Sequence, residues 1–581
     1  MIPNIPEDQV HQLTGLGETL FPDRYAIHPE ETWKEACARW ARGGAAAEHG
    51  ENINKWEARF YTETVTNRFI PGGRIMRSLG RPLQATGNCF CIGPSNFDSR
   101  EGWGQATKEV IIISGEGGGV GLNGSDIRPR GTPVGRTGGV ATGAVSFFEI
   151  LNAAAGVIRG GGGRRAALMV CLNHDHPDLE EFLSKKLDLE ELKNANASVG
   201  FMNESIEDFV TKVQNNQDHE LVWQDSVIKT VKAKDIWDTI IHNSVKAAEP
   251  GILNLYLMNE MNNLWYCKKI VASNPCGEIG LEPYGMCNLG CLVLPRFVNR
   301  NSTDLQWGKL NTTITTAIRF LDNMINVGHY PFEKIKDEMN NTRRLGLGVT
   351  GLHTMLLQLG MKYDSEEAFA FVAKMMKFIK HKAYEASIFL AVEKGQFPLL
   401  DREQFTKSGF CKTLKPSLRD KILEYGIRNC AVLTVPPHGT GSIICNVTPG
   451  LEVMFSPACS RTYQDGEETK TIIVFDPMAE KLLAENGDSS ILQGALDVSP
   501  ENHMKMQALV QEHVDNAISK TIWLPKGYSD EQELSNLFMK YLPKLKGVTL
   551  YTAGSRPNEP LTPIPFEEAL KMGCRGGACD I

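Results

Sequence analysis

Apolar and polar positions follow the period of a helix over most of the first 80 residues. The stretches ETWKEACARWARGGAAAEHG (31–50) and NKWEARFYTETVTNRFI (54–70) both space their apolar residues three and four apart, as on one face of a helix. Pro71-Gly72-Gly73 then interrupts the pattern, because these residues favour turns. We therefore predict a helical N-terminal region over residues 1–80.

Beyond residue 80, helical patterns alternate with short apolar runs. Residues 235–248 place their large apolar side chains on one helical face, and a long helix is predicted from Asp364 or Ser365 to Gly395. Four runs are rich in strand-forming residues: AVLTV (431–435), TIIVF (471–475), TIWL (521–524) and GVTLY (547–551). Strands separated by long helices are typical of α/β proteins with a mostly parallel sheet, either open or closed.

Composition narrows the class of protein. The chain has 581 residues, 42% of them hydrophobic and 22% charged, which is usual for a globular protein. Its net charge of −8 gives no support for direct nucleic-acid binding, which uses a basic face. No stretch approaches the roughly 20 apolar residues of a membrane helix, and the N-terminus lacks a secretory signal pattern. We therefore predict a cytoplasmic protein whose fourteen cysteines stay reduced, clustered ones serving catalysis or metal binding.

One short segment carries the strongest chemical signal. SNPCGEIGLEPYGMCNLGC (273–291) contains three cysteines, with Asn274 and Glu278 two residues on either side of Cys276. Pro275 favours extended backbone at the residue before it, and in an extended segment residues 274, 276 and 278 project from the same side. The segment would then present an amide, a thiol and a carboxylate to one pocket. The alternative is an Asn-Pro turn followed by a buried thiol.

The segment NPCGEIGLEPYGMCNLG resembles the active-site finger of ribonucleotide reductases, above all of the adenosylcobalamin-dependent class II enzymes. Similar order and spacing extend over roughly residues 65–560, through FIPGGRIMRSLG, GNCFCIGP, GGGVGLNGSDIRPRGTPV, GGGGRRAALMVCLNHDHPDLEEFLSKK, NANASVGF and GVTLYTAGSR. The resemblance implies a ten-stranded α/β barrel of the type shared with glycyl radical enzymes, over residues 81–555, with a central finger loop around 274–290. It also implies a ribonucleotide substrate and adenosylcobalamin as cofactor, with no metal held by protein side chains.

The resemblance further implies a role for each group of the finger. Cys276 would carry a thiyl radical that removes the ribose 3′-hydrogen, Glu278 would take the 3′-hydroxyl proton, and Asn274 would orient the ribose hydroxyls. Cys89 and Cys287 would supply two electrons and end as a disulfide, which requires Cα atoms about 4.4–6.8 Å apart. We therefore expect contact between segments almost 200 positions apart in sequence.

The stretch VPPHGTGSIICNVTPGLEVMF (435–455) predicts a strand, a loop of small residues and a helix. Backbone N–H groups at the start of a helix bind phosphate, and the loop resembles the family's Pro-Thr-Gly-Thr-Ile-Ser loop, which holds the substrate's phosphates. The resemblance assigns phosphate binding to Pro437, His438, Gly439, Thr440, Gly441 and Ser442. His438 and Gly441 stand where the family has Thr and Ile, and His438 could make a pH-dependent contact or merely fill space. Asn196 and Ser198, in NANASVGF, are expected in the substrate loop.

Cysteines outside the finger have separate interpretations. Residues 556–581 are rich in Pro and Gly and predict a mobile tail. In it, Cys574 and Cys579 resemble a swinging dithiol that carries electrons from thioredoxin or glutaredoxin to the redox pair. The alternative is a fragment of a zinc site, which lacks further Cys or His ligands nearby. Cys91 and Cys291 have no implied role, and we expect them in the core.

Three residues match positions where a deoxynucleoside triphosphate (dNTP) effector binds in this family, at a helical dimer interface: Asp98, Arg128 and Val134. The segment that carries Asp98 is two residues longer than usual, and solvated surface charges are the alternative interpretation. The sequence leaves open whether the protein is a monomer or homodimer, and whether its substrate is a di- or triphosphate.

The expected radical source follows from resemblance and elimination. Class I enzymes relay the radical through two adjacent tyrosines near the C-terminus, whereas Tyr551 stands alone in GVTLYTAGSR, and no Arg-Val-x-Gly-Tyr glycyl-radical motif occurs. Adenosylcobalamin remains as the expected cofactor. Three alternatives stay open: a class I-type large subunit that needs a separate radical-generating subunit, a degenerate reductase that only binds nucleotides, and a transferase with Cys276 as nucleophile.

Overall fold

Helices and strands alternate along most of the chain. The computed structural model describes residues 2–135, 137–160, 164–185, 187, 191–299, 303–465, 468–484, 488–554, 561–564 and 579–580. Its strands are β1 (Phe69–Pro71), β2 (Cys89–Cys91), β3 (Gly119–Asn123), β4 (Arg159–Gly160), β5 (Arg164–Arg165), β6 (Ala167–Asn173), β7 (Asn196–Gly200), β8 (Asp218–Trp223), β9 (Ser226–Lys232), β10 (Gly251–Leu253), β11 (Ala272–Ser273), β12 (Gly280–Leu281), β13 (Met286–Val293), β14 (Leu345–Thr350), β15 (Ala458–Asp465), β16 (Glu468–Phe475), β17 (Thr521–Leu524), β18 (Gly547–Thr552), β19 (Leu561–Pro563) and β20 (Cys579–Asp580).

The described part of the chain also forms twenty-one α-helices. They are α1 (Leu16–Arg24), α2 (Trp33–Ala45), α3 (Asn52–Val65), α4 (Gly73–Ser78), α5 (Arg100–Gly115), α6 (Gly143–Val157), α7 (Leu179–Lys185), α8 (Ile206–Gln214), α9 (Ala233–Ala247), α10 (Leu255–Glu260), α11 (Trp307–Val327), α12 (Glu333–Thr342), α13 (Leu352–Gln358), α14 (Glu366–Lys394), α15 (Arg402–Thr406), α16 (Gly409–Lys412), α17 (Pro416–Tyr425), α18 (Gly439–Cys445), α19 (Pro477–Ala484), α20 (Pro500–Gln511) and α21 (Glu531–Tyr541).

Ten backbone segments of the described chain close into a ring. Nine are strands: β13, β2, β3, β6, β7, β10, β18 and β17 in that order, with β14 on the other edge of β13. Residues 431–435 fill the remaining gap, because Leu433 bridges to Leu347 of β14 and Val435 bridges to Ile518, just before β17. The ten-stranded barrel expected from the resemblance is thus confirmed.

The ring consists of two parallel halves that run in opposite directions. β2, β3, β6, β7 and β10 are parallel to one another, as are β13, β14, residues 431–435, β17 and β18. The halves meet in the antiparallel pairs β13–β2 and β10–β18. Most strand residues are buried on both faces, which explains why the sequence shows apolar runs there rather than alternation.

α2 and α3 pack against each other and against α11, whereas α1 packs against α18, and the chain then enters the sheet. Trp33, Trp40 and Phe60 are buried between them, and a capping box between Thr32 and Glu35 fixes the start of α2. β1 pairs antiparallel with β13, and α4 follows it. The expected helical N-terminal region is confirmed, although its last part also contains the short strand β1.

Several predicted elements have the expected bounds, and one lies in a different sheet. α14 begins after Ser365, whose side chain accepts the Ala368 N–H, and ends before Gly395. The run 471–475 was predicted as part of a mostly parallel sheet and is instead in β16, which forms an antiparallel hairpin with β15 outside the ring. The sequence signal for this hairpin is the Asp465-Gly466 dipeptide. No helix in the described part of the chain is long and apolar enough to cross a membrane.

Candidate active site

A β-hairpin just before β13, residues 272–281, carries the finger motif. β11 pairs antiparallel with β12, and the Gly277 N–H donates to the Asn274 carbonyl at 3.0 Å across the turn. Gly277 has φ +79°, which glycine adopts without strain. The prediction of an extended segment is therefore wrong: Pro275 enters a tight turn, which its fixed φ favours, and Cys276 stands at the tip.

Glycines of β3 make room for this finger hairpin inside the ring. A Cβ at Gly121 would lie 1.7 Å from the Ser273 carbonyl oxygen, and a Cβ at Gly119 would lie 3.1 Å from Pro275 Cγ. Two residues further along the strand, Asn123 donates to the backbone at the base of the hairpin at 2.9 Å. The hairpin therefore lies along the inner face of β3, with its tip at the start of that strand.

Asn274 joins the predicted groups into one hydrogen-bonded cluster. Its Nδ2 donates to Glu278 Oε2 at 2.7 Å and to Cys89 Sγ at 3.1 Å. Cys89 Sγ lies 3.7 Å from Glu278 Oε1, and Asn274 Oδ1 accepts the Ile279 N–H at 3.0 Å. All of these side chains are buried, so the turn and the barrel wall fix their relative positions.

The environment sets the protonation of the two central groups. Burial raises the pKa of Glu278 to about 6, and the hydrogen bonds from Asn274 and Cys89 limit the rise. Cys276 is exposed to the cavity yet enclosed by protein, and this lost solvation, followed by the charge of Glu278, raises the pKa of its thiol. At neutral pH the thiol therefore keeps its hydrogen while the carboxyl group can accept a proton.

Cys89 and Cys287 face each other across the junction of the two half-barrels. They are Cα partners in the antiparallel pair β2–β13, where opposite Cα atoms lie about 4.5–5.5 Å apart. That separation falls within the range that a disulfide needs, and both residues are free thiols here. Burial raises the pKa of each. The expected contact between these distant segments is present.

A cavity of about 350 Å³ opens at the finger tip. It brings together parts of the N-terminal region, β3, the finger and the loop after residue 435, and its polar or functional lining residues include Arg74, Asn88, Cys89, Ser114, Asn274, Cys276, Glu278, Cys291 and His438. Arg74 is a buried cation that was not among the predicted site residues. The sequence signal for it is its position directly after Gly72-Gly73, in the segment FIPGGRIMRSLG that resembles the family. Cys291, expected in the core, is buried and also borders the cavity.

The predicted phosphate loop lies in the wall of the same cavity. Residues 437–441 line it, and α18 begins at Gly439, so its first backbone N–H groups have no partner within the helix. Ser442 does not line the cavity; its hydroxyl donates to the Gly439 carbonyl at 2.7 Å and closes the first turn. Burial lowers the pKa of His438 to about 4.

The two residues predicted for the substrate loop occupy different places. Asn196 Nδ2 donates to the Pro275 carbonyl at 2.9 Å and so braces the finger tip. Ser198 is buried in β7, next to Gly251 of β10, and does not line the cavity.

Two of the predicted effector residues pair with each other. Arg128 Nη2 lies 2.7 Å from Asp98 Oδ2, and the Arg128 backbone N–H donates to Asp98 Oδ1 at 3.0 Å. Asp98 borders a separate cavity of about 960 Å³, which shares no lining residue with that around Cys276. Val134 follows in a turn in which its N–H donates to the Gly139 carbonyl.

The predicted redox tail falls mostly outside the described residues. Cys574 is not described, and Cys579 is described by its backbone, which pairs with Ile473 of β16. A possible metal group lies elsewhere: His174, Glu204 and His219 offer ligand atoms within 4.8 Å of one another. Lys212 forms an ion pair with Glu204, and His174 Nδ1 lies at hydrogen-bond distance, 3.2 Å, from His219 Nε2. These contacts explain the arrangement of the three side chains without a metal ion.

Comparison with known proteins gives a consistent result. The family described as "Ribonucleotide reductase, barrel domain" matches residues 88–551, and the "all-alpha domain" of the same enzymes matches residues 11–84. The vitamin B12-dependent ribonucleoside-diphosphate reductase of Mycobacterium tuberculosis is 32% identical over 97% of this chain and 83% of its own length. The vitamin B12-dependent ribonucleoside-diphosphate reductase of Thermoplasma acidophilum is 33% identical over 88% of this chain and 66% of its own length. The ribonucleoside-diphosphate reductase subunit alpha of Chlamydia pneumoniae is 23% identical over 94% of this chain and 59% of its own length.

Proposed function

Because the chain belongs to the ribonucleotide reductase family, we propose that it converts ribonucleoside diphosphates to 2′-deoxyribonucleoside diphosphates with adenosylcobalamin as cofactor. The Mycobacterium and Thermoplasma relatives are named as vitamin B12-dependent diphosphate reductases. The observation that carries the proposal is the contact of Asn274, Glu278 and Cys89 beside the turn that presents Cys276 to the cavity.

The reaction replaces the ribose 2′-hydroxyl by hydrogen. Two thiols become one disulfide and thereby provide two electrons and two protons, and the hydroxyl leaves as water. Cys89 and Cys287 are the pair assigned to this step, since they already lie opposite each other as free thiols. Cys89 would protonate the leaving hydroxyl, because it borders the cavity whereas Cys287 does not.

Cys276 and Glu278 would act at the 3′-carbon. As a thiyl radical, Cys276 would remove the 3′-hydrogen, while Glu278 takes the proton of the 3′-hydroxyl. A base with a pKa near 6 suits this task at neutral pH. The raised pKa of Cys276 disfavours the transferase alternative, because a nucleophilic cysteine works as the thiolate.

When bound, adenosylcobalamin would supply the one-electron radical chemistry that converts the Cys276 thiol to a thiyl radical. The residues present fit this group, because the Cys276 thiol is exposed to the cavity and keeps its hydrogen. Gly118, Gly119 and Ala167 also line the cavity. Because two of them have no side chain and the third has only a methyl group, they would leave room for a large ligand.

The test is turnover by the purified chain alone. Adenosylcobalamin, dithiothreitol and a ribonucleoside diphosphate should give the deoxynucleotide, and the same base as a triphosphate should react more slowly. Each assay is run with and without each dNTP, the effector class proposed for Asp98, Arg128 and Val134. The Cys276→Ser variant should form no product. Activity that appears only after addition of a diiron subunit would instead support a class I-type large subunit.

A further inference from the structure

The phosphate loop departs from the family pattern at two positions that contact each other. A Cβ on Gly441 would lie 2.2 Å from His438 Nε2, 2.6 Å from Cε1 and 2.7 Å from Cδ2. The imidazole therefore occupies the space that a side chain at position 441 would need. His438 is 9% exposed, and neither of its buried ring nitrogens has a hydrogen-bond partner among the described residues.

The backbone at position 438 is matched to this arrangement. His438 has φ +47° and ψ 36°, in the left-handed region. Histidine is enriched among the residues that adopt this region, whereas a β-branched residue such as threonine is strongly disfavoured there. The family's threonine would thus strain the same backbone and leave the space over Gly441 empty.

We propose that His438 is a positioning residue that acts through Gly441. Its ring replaces the missing side chain at 441 and holds the first turn of α18 so that the backbone N–H groups of Gly439 and Thr440 face the substrate's phosphates. The two departures form one sterically matched pair. The phosphate role rests on the proposed function, but the steric pairing does not.

A double-mutant cycle tests the pairing. His438→Asn removes the ring yet keeps a residue that tolerates the left-handed backbone, and Gly441→Ala adds a methyl group against the ring. Each single variant should raise the KM for the diphosphate about tenfold with little change in kcat, since voids and overpacking typically cost that much or more. In the double variant the methyl group enters the vacated space, and KM should return to within roughly threefold of wild type. Gly308→Ala is the matched control, because a Cβ there meets nothing within 4 Å.

Two results would overturn the pairing. One is a double variant whose KM change equals the product of the single changes. The other is a His438→Asn effect that depends on pH between 5 and 8, which would indicate a direct titrating contact with substrate. Melting temperatures of the same proteins provide a readout without turnover: both single variants should melt below wild type and the double variant between. If wild type forms no product, the proposed function fails while this comparison still tests the pairing.

Discussion

Replacing Gly121 by alanine should displace the finger hairpin from the barrel wall. The new Cβ would lie 1.7 Å from the Ser273 carbonyl oxygen, 2.8 Å from its carbonyl carbon and 3.4 Å from Asn274 Cα. An ordinary carbon–oxygen contact is about 3.3 Å, so the hairpin would have to retreat by roughly 1.6 Å. Because Asn274 opens the turn, the shift also moves Cys276 and Glu278.

The size of the effect follows from that displacement. A misplacement of about 1 Å at an active site can lower the rate by ~100-fold, so we expect kcat of Gly121→Ala to fall at least that far. Overpacking of an interior costs ~1–3 kcal/mol, so the free energy of unfolding should decrease by about this amount while the protein still folds. Gly119→Ala should be milder, since its Cβ would lie 3.1 Å from a Pro275 ring carbon.

Initial rates of deoxynucleotide formation and unfolding in urea measure the two quantities. Gly547→Ala is the matched control, because Gly547 also lies in a barrel strand and its Cβ would meet its neighbours at 3.4 Å or more. A Gly121→Ala protein with the kcat and stability of wild type would refute the placement of the hairpin against β3.

Three further predictions concern single groups of the site. kcat/KM should fall below about pH 6, because burial holds the pKa of Glu278 there and the base must be ionised. Glu278→Gln should abolish most activity. An acid limb of the wild-type pH profile near pH 4.5 would contradict this role of Glu278. Arg74→Met should raise the substrate KM roughly 10–100-fold with kcat nearly unchanged, because a buried cation in the cavity wall binds phosphate strongly. Steady-state kinetics measure this, with Arg77→Met as the control variant, and an unchanged KM in Arg74→Met would count against it. Cys574→Ser should abolish turnover with thioredoxin and leave turnover with dithiothreitol intact, which parallel assays measure; equal loss with both reductants would argue against a tail dithiol.

Local patterns predicted the long elements because their signals are contained in neighbouring residues. α14 has an N-cap serine, a run of helix formers and a glycine stop, and each acts within a few positions. Residues 431–435 were recognised as extended, but their two bridges to Leu347 and Ile518 are non-local. No local signal distinguishes an open sheet from a ring, so closure came from the resemblance.

The active site likewise combines features that local sequence predicts with contacts between distant segments that it does not. The spacing of Asn274, Cys276 and Glu278 indicated a reactive thiol with a base, although the assumed extended backbone was wrong because Pro275 and Gly277 form a turn. Contacts of Gly121 and Arg74 with the site could not be predicted, since they depend on how distant segments meet inside the barrel.

The most direct test of the proposed reaction is a turnover experiment without external reductant, in a chain with Cys574→Ser and Cys579→Ser. The product is counted against the enzyme, and mass spectrometry of proteolytic fragments locates any new disulfide. We expect about one deoxynucleotide per chain and about one disulfide per chain, which joins Cys89 to Cys287. The same chain with the additional substitution Cys276→Ser should form neither. Product formed without this disulfide, or product from the Cys276→Ser protein, would contradict the account.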